Sequence, residues 1–472
     1  MKKISGLPGF LLIIAIILGG CSQSEQIETQ TSNTTTITTQ NTSTTLANTT
    51  PAVTITTTSP TTTPGITIDI SNMVLIGTPQ GFNIINKHGL SDLSGLYSGI
   101  EVLDSTIDDS GKIWYISSGS IITYDGINWK PISLPKGVYV FYAITIDHDG
   151  RIWVGHYKGV SVLEGEQWRT YSSDTFGLGE FSDVVNDIAI DNQNHIWVAT
   201  TAGVAYLTGE TWTPYDESKG LTNNFTEAVL TDHQGKVWVA HTYGVDVFDG
   251  NKWVFYGSAY NKSALIEVKQ LVGAIALAVD GQGAVWVGTS YEGISYFNGS
   301  TWHTYDCREY FYGAQVKAIT CDKQGRVWLG TDFGMTVFDG SAWSSYTQNS
   351  SELLSNSVNV ILVTGEGSAS LPPAQGLQPG SVSGQIKSGD QPLAGAKVVV
   401  CWDTEMFYSG DSPCLGDSYS VMTDANGEFN IEGIPPYRYR LAIQKPDGKW
   451  KILLGYVYIV DGESTLLKAI SL

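Results

Sequence analysis

Tryptophan recurs in pairs along this chain, with a spacing that few folds accommodate. The second tryptophan of each pair lies fifteen or sixteen residues after the first, as in Trp114/Trp129, Trp153/Trp168, Trp197/Trp212, Trp238/Trp253, Trp286/Trp302 and Trp328/Trp343. The first members are 39 to 48 residues apart, and the six repeats together contain twelve of the 14 tryptophans. A period of about 42 residues is that of a four-stranded propeller blade. We expect the indole rings to fill the gap between stacked blades.

Two turn signals divide each repeat into four strands, named A to D from the ring axis outward. An aspartate stands six residues before the first tryptophan and a glycine or Asn194 three before it, which predicts a tight A-to-B turn. A second glycine, twelve or thirteen residues after that tryptophan, predicts the C-to-D turn. The B-to-C and D-to-A connections then lie on the opposite face of the ring, which we name the loop face.

The two ends of the repeat region predict how the ring closes. NMVLIGTPQGFNII at residues 72–85 matches strands B and C, and SVNVILV at residues 357–363 matches a strand A with nothing after it. Pairing these segments would leave no open sheet edge. The sequence therefore predicts an all-β chain with a seven-bladed β-propeller over residues 70–365, closed by its N- and C-terminal strands.

The repeat consensus D-x-x-G-[IV]-W-V-G-T-x-x-G-V resembles the two-component regulator propeller repeat. This resemblance implies an extracellular sensor domain of the kind found in bacterial histidine kinases, often those that respond to polysaccharide fragments. Neither a transmembrane helix nor a kinase sequence follows the repeats, so we expect a recognition scaffold without its own signalling output.

The B-to-C connections supply the candidate binding residues. They place an aromatic residue in similar positions around the loop face, with polar residues beside it: Tyr157, Tyr243, Tyr291, Phe333, His156, His241, Glu292 and Asp332. Aromatic faces with polar neighbours suit a glycan or a protein ligand. The alternative is that these aromatic residues pack beneath the long D-to-A loops.

Catalytic signatures are missing from the sequence: it contains no G-x-S-x-G, no H-E-x-x-H and no Cys-His motif. We therefore expect a binding protein without metal or cofactor. The alternatives are a polysaccharide-active hydrolase or lyase on a propeller scaffold and a purely structural cell-surface protein. The formal net charge of −20 argues against a nucleic-acid partner.

The N-terminal residues predict export and membrane anchoring. Residues 1–20 combine Lys2 and Lys3 with an apolar stretch, as in a signal peptide. Leu18-Gly19-Gly20-Cys21 resembles the bacterial lipobox, which implies lipid attachment at Cys21 and an extracytoplasmic protein held on a bacterial membrane. The alternative is an uncleaved membrane anchor. Residues 21–69 are rich in Thr and predict a disordered linker.

A second pattern follows a Gly/Pro/Ser-rich linker at residues 366–380. The segments SGQI, PLAGAKVVV and TDANGEFNIEGIPPYRY within residues 381–472 resemble the carboxypeptidase regulatory-like domain, which implies an immunoglobulin-like β-sandwich acting as a spacer or adhesion module. Cys401 and Cys414 could close a loop as a disulfide in an oxidising compartment. Cys307 and Cys321 are expected at opposite ends of neighbouring blades, too far apart to pair.

Overall fold

The computed structural model describes residues 72–86, 88–92, 99–179, 183–258, 266–311, 315–365, 378–404 and 412–472. The predicted signal peptide, the lipid site at Cys21 and the Thr-rich linker lie outside these ranges, as does most of the linker at residues 366–380. Within the described ranges, no helix is long and apolar enough to cross a membrane.

The first strands of the chain begin a row of antiparallel blades. Blade 1 contains β1 (Val74–Thr78), β2 (Gly81–Asn86) and β3 (Gly89–Asp92). Blade 2 contains β4 (Asp104–Ile107), β5 (Ile113–Ser117), β6 (Ser120–Tyr124) and β7 (Trp129–Ile132). Blade 3 contains β8 (Phe141–Ile146), β9 (Ile152–His156), β10 (Gly159–Glu164) and β11 (Gln167–Tyr171). In blades 2 and 3, consecutive strands pair as a simple meander.

The next four blades repeat this order. Blade 4 contains β12 (Val185–Ile190), β13 (Ile196–Thr200), β14 (Gly203–Thr208) and β15 (Thr211–Tyr215). Blade 5 contains β16 (Thr226–Thr231), β17 (Val237–His241), β18 (Gly244–Phe248) and β19 (Trp253–Gly257), with the short β20 (Ile266–Glu267) parallel to β19. Blade 6 contains β21 (Ala274–Val279), β22 (Val285–Thr289), β23 (Gly293–Phe297) and β24 (Trp302–Asp306). Blade 7 contains β25 (Val316–Cys321), β26 (Val327–Thr331), β27 (Gly334–Phe338) and β28 (Trp343–Tyr346).

Helical structure within the described residues is confined to single turns in the D-to-A connections. These turns are α1 (Ser173–Phe176), α2 (Cys307–Tyr310) and the 3-10 turns Glu217–Lys219 and Lys269–Leu271. The few helical turns of the described residues therefore lie in the connections between blades. The all-β fold class predicted from the sequence is confirmed.

The ring closes through a strand from the far end of the repeat region. Strand β29 (Val360–Val363) pairs antiparallel with β1, so that Leu75 lies opposite Leu362 and Val74 opposite Val363. The backbone N–H of Met73 also donates to Oγ1 of Thr364 at 2.9 Å. The innermost strands then neighbour one another in a closed order, β29–β4–β8–β12–β16–β21–β25–β29. The predicted pairing of the two terminal segments is present.

Each A-to-B turn binds the first tryptophan of its blade as well as its own backbone. In blade 5, Oδ1 of Asp232 accepts the N–H groups of Gln234 and Lys236, both at 2.9 Å. Its Oδ2 accepts the indole N–H of Trp238 at 2.9 Å. The same carboxylate–indole pair occurs in all six complete blades, at 2.8 to 3.4 Å. The six-residue spacing therefore reflects one hydrogen bond that ties the turn to strand B.

The first tryptophans also fill the gap between blades, as predicted. They are at most 9% exposed, and the rings of Trp197, Trp238 and Trp286 contact aromatic side chains of the following blade. The ring of Trp238 lies 5.8 Å from that of Phe297 and 6.2 Å from that of Trp302. Trp197 makes the equivalent contact with Phe248 at 6.1 Å. Blades 4, 5 and 6 therefore each pack on the next blade through these ring contacts.

Residues 380–472 form two facing sheets, which we name the sandwich. One sheet contains β30 (Gly380–Ser388), β31 (Gln391–Pro392), β34 (Glu428–Ile434), β37 (Ser464–Leu466) and β38 (Ile470–Ser471). The other contains β32 (Lys397–Thr404), β33 (Cys414–Met422), β35 (Tyr437–Gln444) and β36 (Trp450–Ile459). Buried Val382, Ile431, Val400 and Leu441 belong to one cluster between them. The immunoglobulin-like topology and the carboxypeptidase resemblance stay predictions.

The cysteines of the described residues follow the predicted pairing. Cys401 and Cys414 form a disulfide with their Cα atoms 5.2 Å apart, which joins β32 to the start of β33. Cys307 and Cys321 are not joined by a disulfide. Their positions at the start of α2 and the end of β25 agree with the separation that we expected.

Candidate functional site

The sandwich sits on the loop face of the propeller, over blades 6 and 7. Oδ2 of Asp461 accepts the hydroxyl of Thr347 at 2.6 Å, and its Oδ1 accepts the backbone N–H of Gln378 at 2.6 Å. The side-chain amide of Asn349, two residues beyond Thr347, donates to Oε1 of Glu463 at 3.2 Å. Because Asp461 is only 4% exposed, its bond to Thr347 is a buried polar contact between the sandwich and the blade 7 D-to-A loop, and the bond from Asn349 to Glu463 lies at the exposed edge of that contact.

The sandwich covers two of the candidate binding residues, Phe333 and Asp332. The Phe333 ring is 8% exposed and lies 5.9 Å from the ring of Tyr437 and 6.3 Å from that of Tyr458. Oδ1 of Asp332 accepts the N–H of Gln315 at 3.1 Å, and burial raises the pKa of its carboxyl. The repeat pattern places both residues on the loop face, but it contains no information on which other part of the chain packs against that face.

Tyr291 and Glu292 stay accessible beside this contact. Tyr291 is 53% exposed, and the guanidinium of Arg438 lies 4.7 Å from its ring centre. Nη2 of Arg438 also donates to the carbonyl of Ser290 at 3.2 Å. Glu292 is exposed, and its backbone N–H donates to Oγ1 of Thr289 at 2.9 Å. The blade 6 connection is thus an open part of the loop face next to the sandwich.

The two candidate histidines, His156 and His241, lie inside their blades rather than on the rim, and neither is accessible. Nδ1 of His156 accepts the N–H of Lys158 at 3.1 Å, which assigns the ring proton to Nε2, 2.8 Å from Oγ of Ser161. Burial lowers the pKa of His156 to about 4. Nδ1 of His241 accepts the N–H of Tyr243 in the same way, at 3.2 Å.

These histidines replace a threonine of the other blades. Four blades have at this position a threonine whose Oγ1 accepts a backbone N–H of the B-to-C turn: Thr78, Thr200, Thr289 and Thr331. A nitrogen of the buried imidazole therefore accepts the same turn hydrogen bond that a threonine hydroxyl accepts in the other blades. The interpretation of His156 and His241 as ligand contacts is corrected to a turn-stabilising role, because a side chain that is fully buried and already hydrogen-bonded offers no surface to a ligand.

The remaining aromatic candidates differ in exposure. Tyr157 is half-buried, and its hydroxyl donates to the carbonyl of Gly137 at 3.1 Å, so it packs beneath the preceding D-to-A loop as the alternative predicted. Tyr243 is 36% exposed on the blade 5 connection. Of the eight sequence-predicted residues, the loop face therefore offers Tyr243, Tyr291 and Glu292 to solvent, and their role in ligand binding stays a prediction.

The sequence reasoning missed residues at the loop-face end of strand A. The second residue of most A strands forms a β-bulge and has no partner on strand B, as between Phe141 and Ala143. This position is occupied by Tyr142, Asn186, Glu227, Ile275 and Lys317 in blades 3 to 7. Aligning the repeats could have identified these residues, because the residue type at this position varies from blade to blade while its neighbours in the strand are mostly apolar.

Some of these bulge residues tie neighbouring blades together, and others stay accessible. Nδ2 of Asn186 donates to the carbonyl of Thr226 at 2.8 Å, and Nζ of Lys317 donates to Oγ of Ser357 at 2.7 Å. Tyr142 is 41% exposed. The side chain of Glu227 is also exposed, and partial burial of its carboxyl raises the pKa of that carboxyl. The innermost ring of the loop face thus presents an aromatic hydroxyl and a carboxyl to solvent.

Exposed apolar side chains of the propeller are concentrated on one face. Among its described residues, the large apolar side chains that are exposed on the loop face are Tyr139, Val140, Tyr142, Phe225, Tyr243, Tyr291 and Tyr310. The one such side chain on the opposite face is Ile127, in a C-to-D turn. The described residues contain no cluster of His, Cys, Asp and Glu that could hold a metal ion. Among the described residues of the propeller, the exposed aromatic side chains therefore lie on the loop face.

Comparison with known protein families gives two short matches. Residues 133–158 and 313–333 match the family described as "Two component regulator propeller". Each match includes a strand A, a strand B and the B-to-C connection, in blades 3 and 7. No curated protein matches the chain in sequence. The family match supports the repeat assignment on which the loop face depends.

Several solved structures have a similar fold. One is the extracellular domain of the putative hybrid two component system BT3049 from B. thetaiotaomicron, 16% identical, with a TM-score of 0.48 over 84% of this chain and 54% of that one. The extracellular domain of the putative one component system BT4673 from the same organism is 12% identical, with a TM-score of 0.46 over 84% and 61%. Virginiamycin B lyase from Staphylococcus aureus is also 12% identical, with a TM-score of 0.43 over 52% and 84%.

The chain spans about half the length of the BT3049 domain. At such low identity these similarities concern the fold, and they include both regulatory systems and a lyase. They carry no argument about what this chain binds.

Proposed function

We propose that this chain is an extracytoplasmic receptor, anchored to a bacterial membrane through a lipid on Cys21, whose loop face binds an extracellular glycan. The observation that carries the proposal is the concentration of exposed aromatic side chains on that face, where Tyr142 and Tyr243 are 41% and 36% exposed. Flat aromatic rings stack on the C–H faces of sugars, and neighbouring polar groups bind the hydroxyls.

The scaffold suits this role, because loops on a rigid framework are where binding residues commonly lie. The blades are fixed by the Asp–Trp hydrogen bonds, whereas the D-to-A connections differ in length and sequence from blade to blade. The family match supports an input role in a regulatory system. The Cys401–Cys414 disulfide supports a location outside the cytoplasm.

A glycan array with the detergent-solubilised full chain tests the proposal. We expect retention of at least one glycan without cleavage of it. Tyr142→Ala and Tyr243→Ala together should reduce that retention at least tenfold while leaving the melting temperature nearly unchanged, because both side chains are accessible. The matched control is Ile127→Ala, which removes an exposed apolar side chain from the opposite face.

Three outcomes would overturn the proposal. If no glycan is retained, the loop face does not bind the ligand class that we assign to it. Equal loss in the Ile127→Ala control would mean that retention does not depend on the loop face. Release of shortened products would replace a receptor by a hydrolase or lyase.

A further inference from the structure

Four side chains form a continuous stack at the seam between the propeller and the sandwich. The guanidinium of Arg438 lies 4.7 Å from the ring centre of Tyr291 and 4.7 Å from that of Tyr456. The guanidinium of Arg440 lies 4.1 Å from the Tyr456 ring centre and donates to the Tyr456 hydroxyl at 2.9 Å. Tyr291 belongs to blade 6 and the other three to the sandwich, so both domains build the stack, which we name the seam ladder.

The geometry of the sandwich sheet places these side chains together. Arg438 and Arg440 alternate with the buried Tyr437 and Tyr439 on β35, so both arginines leave the sandwich core on the same face. On β36, Tyr458 lies opposite Arg438 and Tyr456 opposite Arg440. Cross-strand neighbours share a face of the sheet, so two arginines and two tyrosines form one outward surface.

This surface stays accessible even though the domains meet beside it. Tyr291, Tyr458 and Tyr456 are 53%, 51% and 36% exposed. The contacts to the guanidinium groups fix the orientation of Tyr291 and Tyr456, so these two rings are held in place while part of their surface faces solvent. A preorganised aromatic surface loses less entropy when a ligand binds than a mobile one does.

The charge of the seam ladder is opposite to that of the chain as a whole. The sequence has 26 basic against 46 acidic residues, yet two arginines stand two positions apart here. The carboxyl of Asp332 interacts with Arg438, and burial raises the pKa of that carboxyl. A paired cationic site with tyrosine faces on both sides attracts anions that also carry a flat or apolar surface.

We propose that the seam ladder, together with the neighbouring Tyr458, binds an anionic oligosaccharide, with the sugar rings on Tyr456, Tyr458 and Tyr291 and the acidic groups on Arg438 and Arg440. This inference rests on the proposed function and specifies its ligand class. The sandwich is then part of the binding site rather than a spacer. Arginine suits the role because its planar donors match carboxylate and sulfate geometry.

Titration calorimetry on the detergent-solubilised full chain tests the inference. The probes are an oligogalacturonate, which carries carboxylates, a heparin oligosaccharide, which carries sulfates, and a neutral cello-oligosaccharide. We expect the wild type to bind at least one anionic probe, with an affinity that falls as salt is raised. Arg438→Gln with Arg440→Gln should weaken that binding at least tenfold, and Tyr456→Ala should weaken it without removing a charge.

The matched control removes two positive charges from the other end of the same hairpin. Lys445→Gln with Lys449→Gln changes the turn between β35 and β36, remote from the ladder, and should bind the anionic probe as the wild type does. Hydrogen exchange at the backbone of residues 347–350 checks that the sandwich of the arginine variant is still docked, because Thr347 and Asn349 contact the sandwich independently of the ladder.

The outcomes separate the two proposals. If the wild type binds the neutral probe alone, or if a docked arginine variant binds the anionic probe normally, the seam ladder is not the site and the receptor proposal stands. Equal loss in the lysine control would reduce the effect to overall charge and overturn the inference. If the wild type binds none of the three probes, the inference is overturned, whereas the receptor proposal is tested separately by the glycan array.

Discussion

The indole N–H of Trp238 and the carboxylate of Asp232 share a hydrogen bond of 2.9 Å in the interior of blade 5. Trp238 donates to Oδ2 of Asp232, whereas Oδ1 accepts two N–H groups of the turn backbone. In blade 4 the equivalent bond, from Trp197 to Asp191, is longer at 3.4 Å, and His195 also lies 2.9 Å from the same carboxylate oxygen. The two blades therefore depend on this bond to different degrees.

Replacement of these tryptophans by phenylalanine should separate the hydrogen bond from ring packing. Trp238→Phe leaves the buried Oδ2 of Asp232 without its donor, which costs about 1–3 kcal/mol beyond the loss of ring area. Trp197→Phe is the matched control, because its ring is equally buried but His195 still contacts Asp191. Urea unfolding followed by circular dichroism should give the larger loss for Trp238→Phe. Equal losses would mean that packing alone explains the repeat.

His156 gives a test of the turn-stabilising role. His156→Thr restores the residue of four other blades and should leave stability at pH 7 nearly unchanged, whereas His156→Ala removes the acceptor of the Lys158 N–H and should cost about 1–3 kcal/mol. The folded-state pKa of about 4 lies below the ordinary 6.5, so the stability that this histidine contributes is lost as the pH falls from about 6.5 to about 4. His156→Thr should remove that loss. Thermal unfolding at several pH values measures it, and unchanged acid sensitivity would contradict the assignment.

Two half-buried aspartates predict a pH dependence of the opposite sign. Asp104 and Asp187 accept backbone N–H groups of Ile144 and Val229 in the next blade, both at 2.8 Å, and burial raises the pKa of each carboxyl to about 7. Because the folded-state pKa lies above the ordinary 3.8, their contribution is complete below about pH 4 and is lost as the pH rises to about 7.

Asn at both positions keeps an oxygen acceptor and removes the titration. The stability of Asp104→Asn with Asp187→Asn, relative to the wild type, should therefore increase between pH 4 and pH 8. Denaturant unfolding at the two pH values gives this difference directly. A constant difference between the two proteins would show that these carboxyls titrate normally.

The disulfide should stabilise the sandwich without affecting the propeller. Cys401→Ser with Cys414→Ser opens a loop of 13 residues, for which loop-closure entropy predicts a loss of about 3 kcal/mol. Limited proteolysis with mass spectrometry can follow the two domains separately. We expect faster cleavage within residues 380–472 and unchanged protection of blades 2 to 5. Equal loss of protection in both regions would mean that the domains unfold as one unit.

The sequence predicted the parts of the fold that repeat. Six copies of the same spacing predict the blades, and the half-repeats around Leu75 and Leu362 predict their pairing, because local turn chemistry and strand alternation are enough for both. The contact between Phe333 and Tyr437 could not be predicted in this way. It joins two domains, and neither pattern contains information on the other.

The candidate site was predicted only in outline for the same reason. Exposure decides which rim residues can meet a ligand, and it depends on packing over the rim. His156 and Tyr157 are adjacent in sequence, and both turn to internal partners, Ser161 and the carbonyl of Gly137. Tyr142 was overlooked because it lies in a strand whose neighbours are apolar, and the bulge that frees it is a property of pairing rather than of composition.

Strand β29 also sets a requirement on how the chain is made. A ribosome produces Val74 long before Val360, so the edge of β1 that pairs with β29 stays unpaired until almost the whole propeller has been synthesised. An unpaired edge invites pairing with other chains. The edge along Val74–Thr78 must therefore be kept from pairing with other chains during translation, and the last blade to be completed is the first to be begun.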